Sequence, residues 1–353
     1  MPKKLILTAS SIVLVLTASG CSALTGQDSS LDDVTYHMND ATASPSIDVT
    51  TPFAANETQT HVIEAGDGEK IEAGDEVILD VTTFSGEDGE SKSTTYGQQP
   101  LLIPVNDEVK KNIPEVYDLL INNKVGTSFS FTTNEAQTEP SAEPSVMEKG
   151  SPTNIEVYTI KEKLLKTAQG SEVAQDKLPK SLESFTLSED GQAEIKLAQD
   201  RGDAPTDLIA EDMIKGEGAT VKETDTLYVR YQGVQWSDGK AFDGNYGNDK
   251  VAAAISLDQV IEGWKKGLTG KTVGSRVLLI IPADQAYGDQ EGSSDQTPTG
   301  ALVFVVDILA STETPAAASS SQAQESSAPA ESSQAADPSV SASATASASQ
   351  KAE

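Results

Sequence analysis

Thiol and imidazole groups are scarce in this chain, which has one cysteine, Cys21, and two histidines, His37 and His61, among 353 residues. One cysteine closes no disulfide within the chain, and the three groups are too few for an ordinary Cys/His zinc site. Both histidines precede every segment with a catalytic look, so a Ser-His-Asp relay would be hard to build. The side chains left to do chemistry are carboxylates and aromatics. Two stretches hold most of the suggestive ones: "VRYQGVQWSDGKAFDGNY", with Tyr231, Phe242 and Asp243, and "SLDQVIEGWKKGLTG", with Val260, Ile261 and Trp264. Singly, each has a plainer reading. Asp243 in "FDGN" is a turn former, a helical tryptophan is usually core, and Phe242 and Phe304 would serve as packing. The glycine before Trp264 resists that reading, because it weakens a helix by about 1 kcal/mol relative to alanine.

The elements around these residues read as α+β. Leu227, Val229 and Tyr231 alternate with Tyr228, Arg230 and Gln232, the period of a half-buried strand. "SDG" at 237–239 supplies a turn. "RVLLIIP" is an apolar run stopped by Pro282, and "ALVFVVDIL" is a second run rich in β-branched residues. Between the first strand and these runs lies one short helix, with Ile261, Trp264 and Leu268 spaced to face one way. The Ser256/Gln259 spacing alone would start that helix at a capping box. Several antiparallel strands against a short helix define the class.

The unit occurs twice. "GDGEKIEAGDEVILDVTTFSGEDGE" from Gly66 aligns without a gap on "GEGATVKETDTLYVRYQGVQWSDGK" from Gly216, setting Asp75 on Asp225 and Asp88-Gly89 on Asp238-Gly239. Further on, Gly126 falls on Gly274, and "IEVYTIKEKLL" parallels "ALVFVVDILA". The expected organisation is a leader over 1–20, a flexible tether over 21–60, a first domain over 61–166 with a long surface loop at 135–154, a linker over 167–205, a second domain over 206–312, and a low-complexity tail over 313–353. That tail is nearly all Ala, Ser, Gln, Pro and Glu and cannot bury enough apolar surface to offset its ordering entropy.

The ends and the charge suggest a location. "MPKKLILTASSIVLVLTASGC" runs from lysines through an apolar core to small residues, the order of a secretory signal too short to span a membrane comfortably. Its "ASGC" ending resembles the lipobox of bacterial lipoproteins, which implies an acylated Cys21 and an extracytoplasmic, membrane-anchored chain. A formal net charge of −30 repels phosphate backbones, so nucleic-acid binding is not expected.

Taken together, "YxG…DGxxFD", "VIxGW", "VGxR" and "AYG" over about 208–309 resemble the FKBP-type peptidyl-prolyl cis-trans isomerases. The resemblance implies two FKBP-like domains, each a twisted antiparallel sheet wrapped around one short α-helix, with a shallow aromatic pocket between sheet and helix. Tyr231, Phe242, Val260, Trp264, Tyr287 and Phe304 match its wall, with Trp264 as the floor under a proline ring and Gly263 leaving room for the indole. It further implies a helix start near Ile261, whose free N–H binds a substrate carbonyl. By the same resemblance Asp243 is the pocket carboxylate near the rotating carbonyl, and the Tyr287 hydroxyl holds the peptide. Val251 stands where the family usually has an aromatic. The flap at 289–300 is polar, with Asp295 and Gln296 where isoleucines are common, and is expected to weaken substrate capture. In the first copy Val81, Ser93 and Val116 replace the tyrosine, aspartate and tryptophan, which implies a catalytically dead unit.

The expected function is therefore prolyl isomerisation on proline-containing exported polypeptides, with catalysis by Asp243, Tyr231 and Tyr287 and substrate binding by Phe242, Val251, Val260, Ile261, Trp264 and Phe304. No cofactor and no metal are expected. The competing expectation is a non-catalytic chaperone or scaffold module at the cell envelope.

Overall fold

The computed structural model describes residues 28–39, 43–135, 147–288 and 298–313. The leader, Cys21, the centre of the 135–154 loop, the flap residues 289–297 and the tail beyond 313 lie outside the described residues.

Two antiparallel sheets dominate. The first segment of the chain supplies β1 (Thr35–His37), β2 (Ser46–Asp48), β3 (Gln59–Glu64), β4 (Glu76–Phe84), β5 (Ser91–Thr94), β6 (Leu101–Pro104), α1 (Asp107–Asn112), α2 (Pro114–Asn122), β7 (Ser128–Thr132) and β8 (Ile155–Lys163). The second supplies β9 (Ser171–Glu172), β10 (Leu182–Leu187), β11 (Ala193–Leu197), β12 (Ile209–Lys215), β13 (Asp225–Gln235), β14 (Ala241–Gly244), β15 (Ala253–Ser256), α3 (Glu262–Leu268), β16 (Arg276–Ile281) and β17 (Leu302–Glu313). One sheet runs β3-β7-β8-β4-β5 with β6 also on β4; the other runs β14-β13-β17-β16-β12-β9 with β15 also on β13. Apart from β9, the two orders match strand for strand.

The glycines of the aligned copies explain part of that match. A Cβ on Gly66 would strike the Val125 carbonyl, and one on Gly216 would strike the Val273 carbonyl. Gly126 and Gly274 both sit at positive φ, 93° and 92°, and donate to Ile160 and Ile308. Asp75 and Asp225 each accept the amide three residues back, from Glu72 at 2.8 Å and Lys222 at 2.9 Å. The turn at 237–239 closes on Gly239, at φ 71°.

Helix α3 starts after Ile261, which caps it without a side-chain hydrogen bond; Ser256 ends β15 instead of capping a helix. Trp264 and Leu268 face a core with Leu227, Val229, Leu279 and Phe304, and Ile261 packs against its edge. The expected reason for Gly263 needs correcting. A Cβ there would run into the Ile281 side chain on β16, so the glycine lets the helix lie close on the sheet and does not make room for the indole. Gly267, one turn on, does the same against Leu279 at 2.5 Å. The first sheet also departs from expectation, carrying two short helices in place of one. Asn106 caps α1 by accepting from Val109 at 3.0 Å, and Pro114 opens α2.

Among the described residues, neither the expected tether from residue 28 on nor the linker is loose. The residues from 28 form a 3-10 turn (Leu31–Asp33) and the β1–β2 hairpin, and Leu31, Phe53 and Ala55 pack with Phe84, Ile155 and Val157 on the sheet face away from α2. In the 167–205 segment, the β10–β11 hairpin sets Leu182, Ile195 and Leu197 against Val234, Val303 and Val305 of the second sheet. Phe84, Ile155 and Val157 hold the same register positions in the first sheet as Val234, Val303 and Val305 in the second. Each sheet is apolar on both faces, so each needs a cover, and the chain just before it supplies a hairpin. At roughly 1.5–3 kcal/mol per fully buried large aliphatic side chain, that cover is substantial.

Strand β13 is accordingly buried on both faces over Asp225–Val229 and at Gly233 and Val234, and only partly buried at Arg230, Tyr231 and Gln232. Tyr228 is fully enclosed in a cluster with Ile78, Leu164, Ala252, Leu309 and Ala310, where the two sheets meet.

Candidate active site

The pocket grows from β13. Tyr231 projects from it on the helix side, and its neighbours β14, β15 and β17 bring Phe242 and Asp243, Ile255, and Phe304 respectively. Helix α3 closes the base with Trp264, whose side chain is buried. The result is a hollow of about 220 Å³ lined by Tyr231, Phe242, Asp243, Ile255, Gln259, Val260, Ile261, Trp264, Tyr287 and Phe304.

The rings interlock edge to face. Tyr231 meets Trp264 at 5.3 Å and 88°, Trp264 meets Phe304 at 5.3 Å and 86°, and Phe304 meets Phe242 at 5.5 Å and 87°. Such T-shaped contacts suit the ring quadrupole and add about 0.5–1.5 kcal/mol each beyond area burial. Gly233 makes the last of them possible, since a Cβ there would lie 2.7 Å from the Phe304 ring and 2.8 Å from the Phe242 ring. The "YQG" glycine is thus a packing residue of the site.

Asp243 is a strand residue paired with Gly233, not a turn former. Its carboxylate is exposed but fixed, accepting from the Tyr231 hydroxyl at 2.7 Å and from the Gly244 amide at 2.8 Å. Burial of Tyr231, reinforced by its hydrogen bond to the Asp243 carboxylate and that group's charge, holds the hydroxyl's pKa well above the ordinary tyrosine range. It therefore remains a proton donor at every working pH.

Tyr287 stands at the mouth, 54 % exposed, and its hydroxyl has no hydrogen-bond partner among the described residues. The amide of Ile261 likewise donates to no described acceptor, as befits the first turn of a helix. The site thus presents an aromatic floor, one anchored carboxylate, and at its edge two donors without an acceptor among the described residues.

Of the residues expected from the sequence, Tyr231, Phe242, Asp243, Val260, Ile261, Trp264, Tyr287 and Phe304 converge on this hollow. Val251 does not. It lies two residues before β15, is 41 % exposed, and does not line the pocket. The β13–β15 register ends at Val229–Ala253, so the chain has already left the wall when it reaches residue 251. The wall position belongs to Ile255, on the same strand face as Ala253. Ile255 and Gln259 were missed for want of any signal beyond that register. Cys21 lies outside the described residues.

A family model for FKBP-type peptidyl-prolyl cis-trans isomerase matches residues 217–309. An FK506-binding protein of Streptomyces anulatus is 38% identical over 111 residues, covering 31% of this chain and 90% of the relative. The FKBP-type peptidyl-prolyl cis-trans isomerase FkpA of Escherichia coli is 28% identical over 176 residues, 44% of this chain and 64% of the relative. The crystal structure of FkpA from Escherichia coli superposes with a TM-score of 0.28 at 35% identity, over 31% of this chain and 50% of that one. This chain belongs to the FKBP-type peptidyl-prolyl cis-trans isomerases.

Proposed function

We propose that the second sheet and α3 form a working isomerase that assists folding of exported proteins by binding X-Pro segments in the aromatic hollow. The observation that carries this is the meeting of four rings, the anchored Asp243 and the free Ile261 amide around one cavity. Rotation about a prolyl bond must cross a barrier of about 18–20 kcal/mol set by amide resonance. Resonance puts negative charge on the carbonyl oxygen, which water stabilises in the planar state. In the hollow the proline ring lies on Trp264, water is displaced, and the less polar twisted amide is relatively favoured. The Ile261 amide and the Tyr287 hydroxyl hold the neighbouring backbone while the bond turns, and Asp243, oriented by Tyr231, stands beside the moving carbonyl.

The first sheet is proposed to be a second FKBP-like domain without catalysis. Ser93 pairs with Thr83 as Asp243 pairs with Gly233, and Val116 follows the α2 cap as Trp264 follows the α3 cap. With Val81 in the tyrosine position, neither floor nor carboxylate is present, which favours a holding or supporting role. Attachment outside the cytoplasm through an acylated Cys21 completes the proposal and rests on the sequence alone.

Exchange spectroscopy on a short X-Pro peptide with catalytic amounts of the full chain tests the reading. Cis–trans exchange is expected to speed up in proportion to protein added; exchange at the uncatalysed rate of tens to hundreds of seconds would reject it. A Cys21→Ser variant is expected in the soluble extracellular fraction, and unchanged membrane association would reject the anchor.

A further inference from the structure

The family match begins at residue 217, yet the pocket's wall is held partly by residues far upstream of it. Strands β14 and β15, which carry Asp243 and Ile255, are joined by the segment 245–252. That segment is pinned to β13 by Asn245, whose Oδ1 accepts the Tyr231 amide at 2.8 Å and whose Nδ2 donates to the carbonyls of Val229 and Val251 at 3.0 and 3.2 Å. Arg230 donates to the Lys250 carbonyl at 2.9 Å.

The remaining anchor comes from the first sheet. Glu76, the first residue of β4, accepts the Ala252 amide on Oε1 at 2.8 Å and the Arg230 guanidinium on Oε2 at 2.9 Å. Both partners adjoin the site: Arg230 precedes Tyr231, and Ala252 precedes the strand that bears Ile255. The carboxylate is buried, its side chain 9 % exposed against 15 % for Arg230. A short, shielded, doubly committed carboxylate is a rigid link. A second upstream grip comes from the turn of the β10–β11 hairpin, whose Asp190 and Glu189 carbonyls accept from Asn248 at 2.9 and 3.2 Å.

We infer that Glu76 is a positioning residue for the isomerase pocket: through Arg230 and Ala252 it fixes the 245–252 segment and hence the placement of Asp243 and Ile255. The first repeat is then part of the catalytic unit, not a spacer. This rests on the hollow being the catalytic site. A misplacement of an ångström at a reacting centre is enough to cost up to about a hundredfold in rate, so loosening this link has a kinetic signature.

The test uses the full chain with Glu76→Gln, which keeps the shape and an acceptor for Ala252 but loses the charge facing Arg230. Its control is Asp75→Asn, one residue away, which weakens the first repeat through its own contacts with Lys163, Lys166 and the Glu72 amide and touches nothing at 245–252. For Glu76→Gln, kcat is expected to fall about three- to tenfold with KM changed less than twofold, and amide exchange at 245–252 to quicken. Asp75→Asn is expected to lower the melting temperature but leave both readouts at wild-type values for the folded protein. Wild-type kcat in Glu76→Gln, or equal effects in the two variants, would overturn the inference. A wild-type chain that accelerates no X-Pro exchange would instead overturn the catalytic reading beneath it, and the amide-exchange arm would still report on the link.

Discussion

Asp243 and Tyr231 share one hydrogen bond but have separable roles. In the proposed mechanism the carboxylate faces the substrate, whereas the hydroxyl, which donates to it, orients it. Asp243→Ala is expected to reduce kcat/KM by roughly tenfold, about 1.4 kcal/mol of transition-state stabilisation. Tyr231→Phe keeps the ring contact with Trp264 and the Gly244 amide on the carboxylate, so a loss of about two- to fivefold is expected. Peptide-exchange rates on the two variants check this; a larger loss in Tyr231→Phe would reverse the assignment. At this scale the sequence was informative where a side chain sat within a dense motif, as with "FDG" and "VIEGW". It misled at Val251, because nothing in the local pattern reports where β15 stops pairing with β13.

At the scale of the element, the helix and the strand beneath it are matched by two glycines. Gly263→Ala would raise intrinsic helix propensity by about 1 kcal/mol, but its methyl would press on Ile281 and lift α3 from β16. Overpacking of this kind costs about 1–3 kcal/mol, so a net loss of stability is expected in denaturant unfolding, together with weaker peptide binding as Trp264 shifts. A stabilised variant would show that the helix is free to move. Strand and turn signals around β13, β16 and β17 were legible because β-branched runs and an Asp-Gly turn have local causes. The hairpins β1–β2 and β10–β11 were not legible. Their strands are short and mix polar with apolar residues, and what fixes them is the apolar outer face of each sheet, a tertiary demand that periodicity does not display.

The whole molecule depends on contacts that cross the limits of the family match. Leu182, Ile195 and Leu197 cover the second sheet, and Asp307, fully buried, is held by Arg276 at 2.6 Å and by the Ala168 amide at 3.2 Å. A fragment starting at residue 206 would bare that face and remove the Ala168 donor. It is expected to unfold at markedly lower denaturant than one starting at residue 167, and equal midpoints would contradict the covering role of the hairpin. Tyrosines set an alkaline limit. Burial pushes the hydroxyls of Tyr36 and Tyr228 up to about 12, against an ordinary value of about 10. The fold therefore favours their neutral forms, a contribution complete below about pH 10 and lost as the pH climbs from there toward 12. Melting temperatures are expected to hold up to about pH 9.5 and fall beyond pH 10; a flat profile to pH 12 would mean these hydroxyls are not enclosed. The repeat itself was readable from its glycines and aspartates, but the meeting of the two copies around Tyr228, Ile78 and the Glu76–Arg230 pair was not, since an alignment of copies says nothing of how they touch.

The most direct measurement is the rate of X-Pro cis–trans exchange with the full chain and with its Trp264→Ala variant, each checked for a folded core. Acceleration by the parent chain and at least a tenfold loss in the variant are expected if the proline ring rests on the indole. An equal rate in both, with the fold intact, would place the chemistry elsewhere.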